Sequence, residues 1–114
     1  MPKPLGPYTP IVVSGDLLFV SGQVGLRDGA LVDGGVTAQA EQALANLAGL
    51  LESEGASMSD VVKTTVFLSD MADYGPVNEV YVAAFGDHRP ARSAVAVAGL
   101  PIGALVEVEA VARR

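Results

Sequence analysis

Short β-favouring runs alternate along this chain with longer stretches in which apolar residues recur at helical spacing. Two such runs, at 11–13 and 17–20, are separated by Ser14-Gly15-Asp16, and a Gly-Asp pair between β-favouring runs is typical of a tight hairpin. The glycine-rich stretch 21–36 then predicts a mobile connection. The first two strands are therefore expected to be neighbours in one sheet.

Two amphipathic helices are predicted further along. Apolar residues recur every three to four positions over 36–51, with Thr37 as the candidate N-cap and Gly55 as the residue that ends the helix. The same spacing predicts a second helix over 74–85, which Gly86 would stop.

Three further strands are predicted at 61–68, 91–97 and 106–112, all rich in β-branched or small apolar residues. The element order is then ββαβαββ, which indicates an α+β fold in a single domain spanning 1–114. Two helices of this length cover only one face of a sheet, so we expect a partner to cover the other face.

Side chains alternate between the two faces of a strand, which divides the last two strands into sets. The last strand separates Val106, Val108, Ala110 and Ala112 from Glu107, Glu109 and Val111, and the strand before it separates Ser93, Val95 and Val97 from Arg92, Ala94 and Ala96. If the more apolar sets meet the helices, the uncovered face carries Arg92, Glu107 and Glu109.

Composition excludes several classes of function. The net charge of -6 and the scattered basic residues disfavour binding to nucleic acid. No cysteine is present and His88 is the only histidine, so thiolate zinc sites, multi-histidine metal sites and a cysteine nucleophile are excluded. The apolar-rich stretch 93–106 is interrupted and too short to span a bilayer, and we expect a soluble cytoplasmic domain without membrane contact.

Arg92 and Glu107 are the strongest candidates for chemistry. The planar guanidinium of Arg92 suits bidentate capture of a small carboxylate, and a partly buried Glu107 could act on a water as general base or acid. The alternative is an ion pair at a subunit interface between Arg92 and either Glu107 or Glu109.

Weaker candidates come from three other segments. Tyr8 offers a hydroxyl on a proline-rich arm, and Ser21 and Gly22 follow the second strand. Asn78 lies on the second helix, where its position favours a structural role over contact with a ligand. His88 falls in a loop that we expect to be exposed, and we assign it no role.

The segment PARSAVAVAGLPIGALVEVEAVA, at 90–112, resembles the C-terminal signature of the RidA/YjgF family of enamine/imine deaminases. The resemblance extends over nearly the whole chain, through GPY at 6–8, SGQ at 21–23, AQAEQALANL at 38–47, VVKTTVFLSDMADY at 61–74 and VNEVY at 77–81.

The resemblance implies a chorismate-mutase-like fold, a homotrimer with ligand clefts between subunits, and cofactor-free, metal-free hydrolysis of 2-enamino or 2-imino acids to 2-keto acids and ammonia. It further implies that Arg92 holds the substrate carboxylate and that Glu107 orients or activates water. Tyr8, Ser21 and Gly22 would line the cleft, with Asn78 as a supporting residue.

One competing hypothesis is a trimeric small-molecule-binding or regulatory module that keeps the cleft without turnover, because fold and site shape alone do not establish catalysis. An RNA-directed nuclease is disfavoured by the acidic charge and by the absence of a basic groove in the sequence. Ammonia release from 2-aminoacrylate or an iminobutanoate discriminates a deaminase from the binding module, and nuclease activity that persists through purification and is lost in Arg92→Ala would favour the nuclease.

Overall fold

Five strands form one mixed sheet in the computed structural model, which describes residues 4–114. The strands are β1 (Ile11–Ser14), β2 (Leu17–Gln23), β5 (Val61–Leu68), β6 (Ala91–Ala96) and β7 (Val106–Arg113). Their order across the sheet is β1-β2-β7-β5-β6, and only β5 and β6 run parallel. The predicted hairpin of the first two strands is confirmed, and so is an α+β fold with one sheet and two helices.

The glycine-rich stretch 21–36 is more ordered than predicted. It contains a small separate hairpin of β3 (Leu26–Arg27) and β4 (Ala30–Leu31), with Asp28 and Gly29 both in left-handed conformations at its turn. The Asn46 amide donates to the carbonyls of Val24 and Leu26 and ties this hairpin to the following helix. The prediction of a mobile connection was therefore wrong, because glycines that shape a turn were interpreted as a source of flexibility.

Helices α1 (Gly35–Ser53) and α2 (Tyr74–Phe85) pack on the same face of the sheet. Helix α1 begins two residues before the predicted cap, since Gly34, with φ 111°, takes the N-cap position instead of Thr37. Gly55 follows α1 with φ 74° and Gly86 follows α2 with φ 63°, so both predicted helix ends are confirmed.

Strand β7 alternates between the two faces as its sequence predicts. Val106, Val108, Ala110 and Ala112 are buried against the helices, while Glu109 is exposed and Glu107 and Val111 are half-buried on the opposite side. The carboxylates of this strand therefore lie on the face that the helices leave open.

The side chains of strand β6 point to the faces of the sheet opposite to those predicted. Its parallel register places Arg92 beside Thr64, Ala94 beside Val66 and Ala96 beside Leu68, and these three partners on β5 belong to the buried, helix-covered face. Arg92 is consequently on the covered face, and Ser93 and Val95 are on the open one. The sequence misled because both sets of β6 side chains are small, so neither set identifies the core side.

The second face of the sheet carries no described element and is named the open face below. It consists of Val12, Phe19, Lys63, Thr65, Phe67, Ser93, Val95, Glu107, Glu109 and Val111. Three apolar residues of this face are largely exposed, namely Val12 at 48%, Phe19 at 44% and Val95 at 42%. Exposing several apolar side chains to water on one surface is unfavourable and uncommon. Neither helix in residues 4–114 is long and apolar enough to cross a membrane.

Candidate active site

A cleft of about 530 Å³ lies at one end of the open face and is named the Glu107 cleft. Its wall is formed by Leu5, Gly6, Pro7, Tyr8, Ser21, Gly22, Phe67, Pro101, Glu107 and Glu109. The structure thus brings together four of the side chains or backbone positions predicted from the sequence, namely Tyr8, Ser21, Gly22 and Glu107. Phe67 and Pro101 were not predicted.

Glu107 lies directly against the backbone of Gly22. A Cβ atom at position 22 would be 2.6 Å from the Glu107 carboxyl carbon and 2.9 Å from its Oε2, which is closer than real Cβ contacts allow. Any other residue at position 22 would therefore displace the carboxyl group. Glycine is required here because it has no side chain, which leaves room for the Glu107 side chain of the neighbouring strand. Its role is therefore close packing and not flexibility.

The surroundings of Glu107 raise the pKa of its carboxyl group above the ordinary value of 4.5. Partial burial is the larger cause, because it disfavours the charged form, and the negative charge of Glu109 adds to the shift. A carboxylate with a raised pKa is a stronger base once ionised, so Glu107 is suited to accept a proton from a water molecule.

The proline-rich arm is fixed beside the cleft by hydrogen bonds. The Ser21 hydroxyl donates to the Thr9 carbonyl at 2.6 Å, and the Ser21 amide donates to the Pro10 carbonyl at 2.9 Å. The Tyr8 hydroxyl accepts from the Leu5 amide at 3.1 Å. Because the hydroxyl hydrogen of Ser21 is used to hold the arm, its oxygen faces a ligand as an acceptor only.

Arg92 lies elsewhere, against helix α2. Its Nη2 donates to the Tyr74 hydroxyl at 3.1 Å, and its guanidinium carbon is 4.8 Å from the Tyr81 ring centroid and 5.5 Å from that of Tyr74. Asn78 lies on the same side of the helix, since positions 74, 78 and 81 share one helical stripe. Tyr74, Asn78, Tyr81 and Arg92 are named the Arg92 cluster.

The Arg92 cluster holds a cation without an acidic partner. Tyr81 is buried and its hydroxyl is 2.7 Å from the buried Thr64 Oγ1, which fixes the ring beneath the guanidinium. Among residues 4–114 the one ion pair is Arg113 with Asp16, so no carboxylate of the same chain neutralises Arg92. The alternative of an ion pair with Glu107 or Glu109 is therefore not realised within one chain.

The Glu107 cleft and the Arg92 cluster face opposite sides of the same sheet. Strand β5 separates β6 from β7, so the two strands are about 10 Å apart in addition to pointing these side chains in opposite directions. One chain alone cannot bring Arg92 and Glu107 to a single small substrate. The predicted grouping of these two residues on one face was wrong for the isolated chain.

His88 is less exposed than predicted. Its Nε2 is 2.6 Å from the Val61 carbonyl, and its ring is half-buried 6.3 Å from that of Phe85. It therefore links the loop after α2 to the start of β5. Within the described residues, no group of three or more His, Cys, Asp or Glu side chains is arranged to hold a metal ion.

The unpredicted site residues had partial signals in the sequence. Tyr74, Asn78 and Tyr81 are spaced four and three residues apart, which places them on one helical face toward whatever side chain packs there. Phe67 is paired with Glu107 in the β5–β7 register, but this register depends on long-range contacts that no local pattern in the sequence reveals.

The fold and the open carboxylate cleft define a class of α+β protein with one mixed sheet, two helices on one side and a polar site on the other. The chain belongs to the endoribonuclease L-PSP family, which is the RidA/YjgF family, and the model of that family matches residues 1–114.

Similar proteins carry deaminase names. The chain is 49% identical over 113 residues to a mouse 2-iminobutanoate/2-iminopropanoate deaminase, with 97% of the chain and 84% of the mouse protein covered. It is 44% identical to the human protein of the same name, over 97% of the chain and 82% of the human protein. A RutC family protein of Pyrococcus horikoshii is also 44% identical, over 97% of the chain and 90% of that protein.

Solved structures match the fold throughout. Escherichia coli TdcF with bound serine gives a TM-score of 0.94 at 37% identity, covering 99% of this chain and 92% of that one. RidA from an Antarctic Psychrobacter gives a TM-score of 0.96 at 40% identity, covering 99% and 93% respectively.

Proposed function

We propose that this protein is a cofactor-free hydrolase that converts small 2-imino acids, such as 2-iminobutanoate and 2-iminopropanoate, to 2-keto acids and ammonia. Glu107 activates the attacking water and Arg92 binds the substrate carboxylate. The observation that carries the proposal is the Glu107 carboxyl group, which is held against Gly22 in a 530 Å³ cleft with its pKa raised.

The chemistry requires one proton acceptor at the right place. Water attacks the imine carbon, the π electrons of the C=N bond move to nitrogen, and ionised Glu107 accepts the proton of the water. The protonated carboxyl passes that proton to the nitrogen, which gives the carbinolamine. Glu107 then takes the proton of the carbinolamine hydroxyl and delivers it to the amine nitrogen, so that the C–N bond breaks and ammonia leaves as the C=O bond of the keto group forms. Holding water beside an already electrophilic carbon supplies much of the rate.

The carboxylate of the substrate requires a cation that is not already paired. Arg92 meets this requirement, because its guanidinium is held by two tyrosines and has no acidic partner among residues 4–114. TdcF, whose structure contains bound serine, supports a ligand of this size with a carboxylate and a nitrogen on the neighbouring carbon.

A complete site then combines two chains. Because Arg92 and Glu107 face opposite sides of one sheet, we place Arg92 of one chain beside Glu107 of the next in a homotrimer with three equivalent sites. The exposed apolar side chains of the open face, Val12, Phe19 and Val95, support this assembly, since association buries them.

Mixing two inactive variants tests both the chemistry and the assembly. Arg92→Ala loses the carboxylate clamp, and Glu107→Gln loses the proton acceptor, so each alone is expected to lower the rate of ammonia release by about a hundredfold or more. When the two chains are unfolded together in equal amounts and reassembled, a site that takes its two residues from neighbouring chains regains about one quarter of the wild-type rate.

The matched control is the doubly substituted chain, Arg92→Ala with Glu107→Gln, mixed with an equal amount of wild type. This mixture is expected to keep about one quarter of the wild-type rate if each site needs two chains, and about one half if each site lies within one chain. Reassembled mixtures of the two single variants that stay inactive would contradict a two-chain site. Wild-type protein that binds a 2-keto acid but releases no ammonia from 2-iminobutanoate would instead favour the binding or regulatory module.

A further inference from the structure

We propose that the Tyr74 hydroxyl is a second hydrogen-bond donor to the substrate carboxylate, next to Arg92. This inference rests on the proposed function and adds a residue to the substrate-binding site. It follows from the geometry of the Arg92 cluster and not from the sequence pattern.

The direction of one hydrogen bond is decisive. Guanidinium nitrogens only donate, so in the 3.1 Å contact between Arg92 Nη2 and Tyr74 the phenol oxygen is the acceptor. A phenol that accepts still has its own hydrogen to donate. Among residues 4–114 no acceptor takes that hydrogen, and the Tyr74 side chain is 43% exposed, so an incoming ligand can reach it.

The platform beneath Arg92 keeps the two donors together. Tyr81 lies under the guanidinium at 4.8 Å and is itself anchored through its hydroxyl to Thr64 in the core. Arg92 is therefore held from the side of α2, and its remaining N–H groups and the Tyr74 hydroxyl lie beside one another. A carboxylate has two oxygens with several lone pairs, which suits one cationic donor and one neutral donor at once.

This arrangement selects anions of carboxylate geometry. A neutral amide of the same shape offers one carbonyl oxygen and presents N–H groups to the second position, where two donors would oppose each other. We therefore expect the Tyr74 hydroxyl to sharpen the preference for a 2-keto or 2-imino acid over its amide, and its loss to raise the KM without a comparable fall in kcat.

The test is the binding of pyruvate and of pyruvamide to the assembled wild type and to Tyr74→Phe, measured by titration calorimetry. Phenylalanine keeps the ring over which Arg92 stacks and removes only the hydroxyl. We expect the Kd for pyruvate to rise about tenfold, the range of one hydrogen bond in a charged site, while the Kd for pyruvamide changes less than about twofold. The melting temperature should be preserved because the hydroxyl is exposed.

A second pair of variants separates a donor from a residue that only orients Arg92. In an Arg92→Lys background, loss of a direct donor still weakens pyruvate binding when Tyr74→Phe is added, whereas loss of an orienting contact has no further effect. An unchanged pyruvate Kd in Tyr74→Phe, or an effect that disappears in the Arg92→Lys background, would overturn the proposal.

The readout keeps this proposal distinct from the deaminase proposal. Wild type that binds pyruvate but releases no ammonia would overturn the deaminase reaction, and the comparison of pyruvate with pyruvamide would still decide the role of the hydroxyl. Wild type that binds both ligands equally would overturn the carboxylate-binding roles of Tyr74 and Arg92, and the release of ammonia would still decide the deaminase reaction.

Discussion

The two faces of the sheet differ in what they bury. On the covered face, Leu18, Val66 and Val108 are at most 1% exposed beneath α1 and α2. On the open face, Phe19 and Val95 keep more than two fifths of their surface exposed, and the half-buried Glu107 has a raised pKa. The covered face therefore holds the chain together, while the open face has the composition of a surface that contacts something outside the chain.

The two faces also differ in whether their polar side chains are paired. The buried polar side chains between the covered face and the helices are paired, as Thr64 is with Tyr81 and as Gln39 of α1 is with the Leu105 amide at 2.9 Å. Glu107, on the open face, sits next to another carboxylate, which opposes its ionisation. A charged group that lowers the stability of the fold because it lacks an oppositely charged partner is often part of a functional site.

The largest predicted difference between the faces comes from one acidic substitution made on each. Val66→Asp is expected to abolish folding, because an unpaired buried carboxylate costs several kcal/mol, comparable with the roughly 5–15 kcal/mol stability of a domain. Val95→Asp should leave a folded chain that no longer assembles. Circular dichroism and sedimentation equilibrium measure the two outcomes. A Val95→Asp protein that keeps a trimer mass would show that Val95 lies outside the interface, and a wild type of monomer mass would contradict the assembly.

Two glycines provide an intermediate test. A Cβ at Gly25 would be 2.7 Å from the Gln39 Cα, so Gly25→Ala pushes on the backbone of α1 and should destabilise the fold by about 1–3 kcal/mol. A Cβ at Gly22 meets only the movable carboxyl of Glu107, so Gly22→Ala should lower kcat about tenfold or more with a smaller change in melting temperature. The reverse pattern in these two variants would contradict the assignment of Gly25 to the packing of α1 and of Gly22 to the Glu107 cleft.

The smallest predicted effect is the pH dependence of stability at Glu107. Its pKa in the folded chain lies above the ordinary 4.5, so the folded chain binds this proton more tightly than the unfolded one. Stability from this group is therefore lost as pH rises through the window above 4.5, and Glu107→Gln, which does not titrate, should gain relative to wild type there. Thermal melts of both proteins at pH 4 and pH 7 measure this, and a relative loss by the variant at pH 7 would contradict it.

The sequence predicts the fold well where a local pattern coincides with burial. Strand β5 and helix α2 have the predicted bounds, 61–68 and 74–85, because β-branched density and helical spacing are local properties. The faces of β7 are also confirmed, since valine or alanine alternates there with glutamate over most of its length. The β3–β4 hairpin was missed because glycine signals a turn and a flexible link equally.

The candidate site is harder to predict, because it depends on strand register. Four of the predicted positions, Tyr8, Ser21, Gly22 and Glu107, do meet in one cleft. Arg92 and Asn78 do not join them, since the side of the sheet to which Arg92 points is set by its pairing with Thr64 on a strand about thirty residues earlier. Nothing in the sequence ARSAVA indicates to which face of the sheet Arg92 points. The roles of all these residues remain predictions.

The placement of Arg92 and Glu107 on opposite faces has a genetic consequence under the proposed assembly. Both residues are encoded by one gene, yet the two halves of any one site come from different translated copies. A cell carrying one allele altered at Arg92 and another altered at Glu107 would keep part of its activity, because mixed assemblies rebuild intact sites. A cell carrying one wild-type allele and one allele altered at both positions would also keep about one quarter of its sites, below the half expected of sites contained in one chain, since each altered chain in a trimer inactivates the sites on both of its sides.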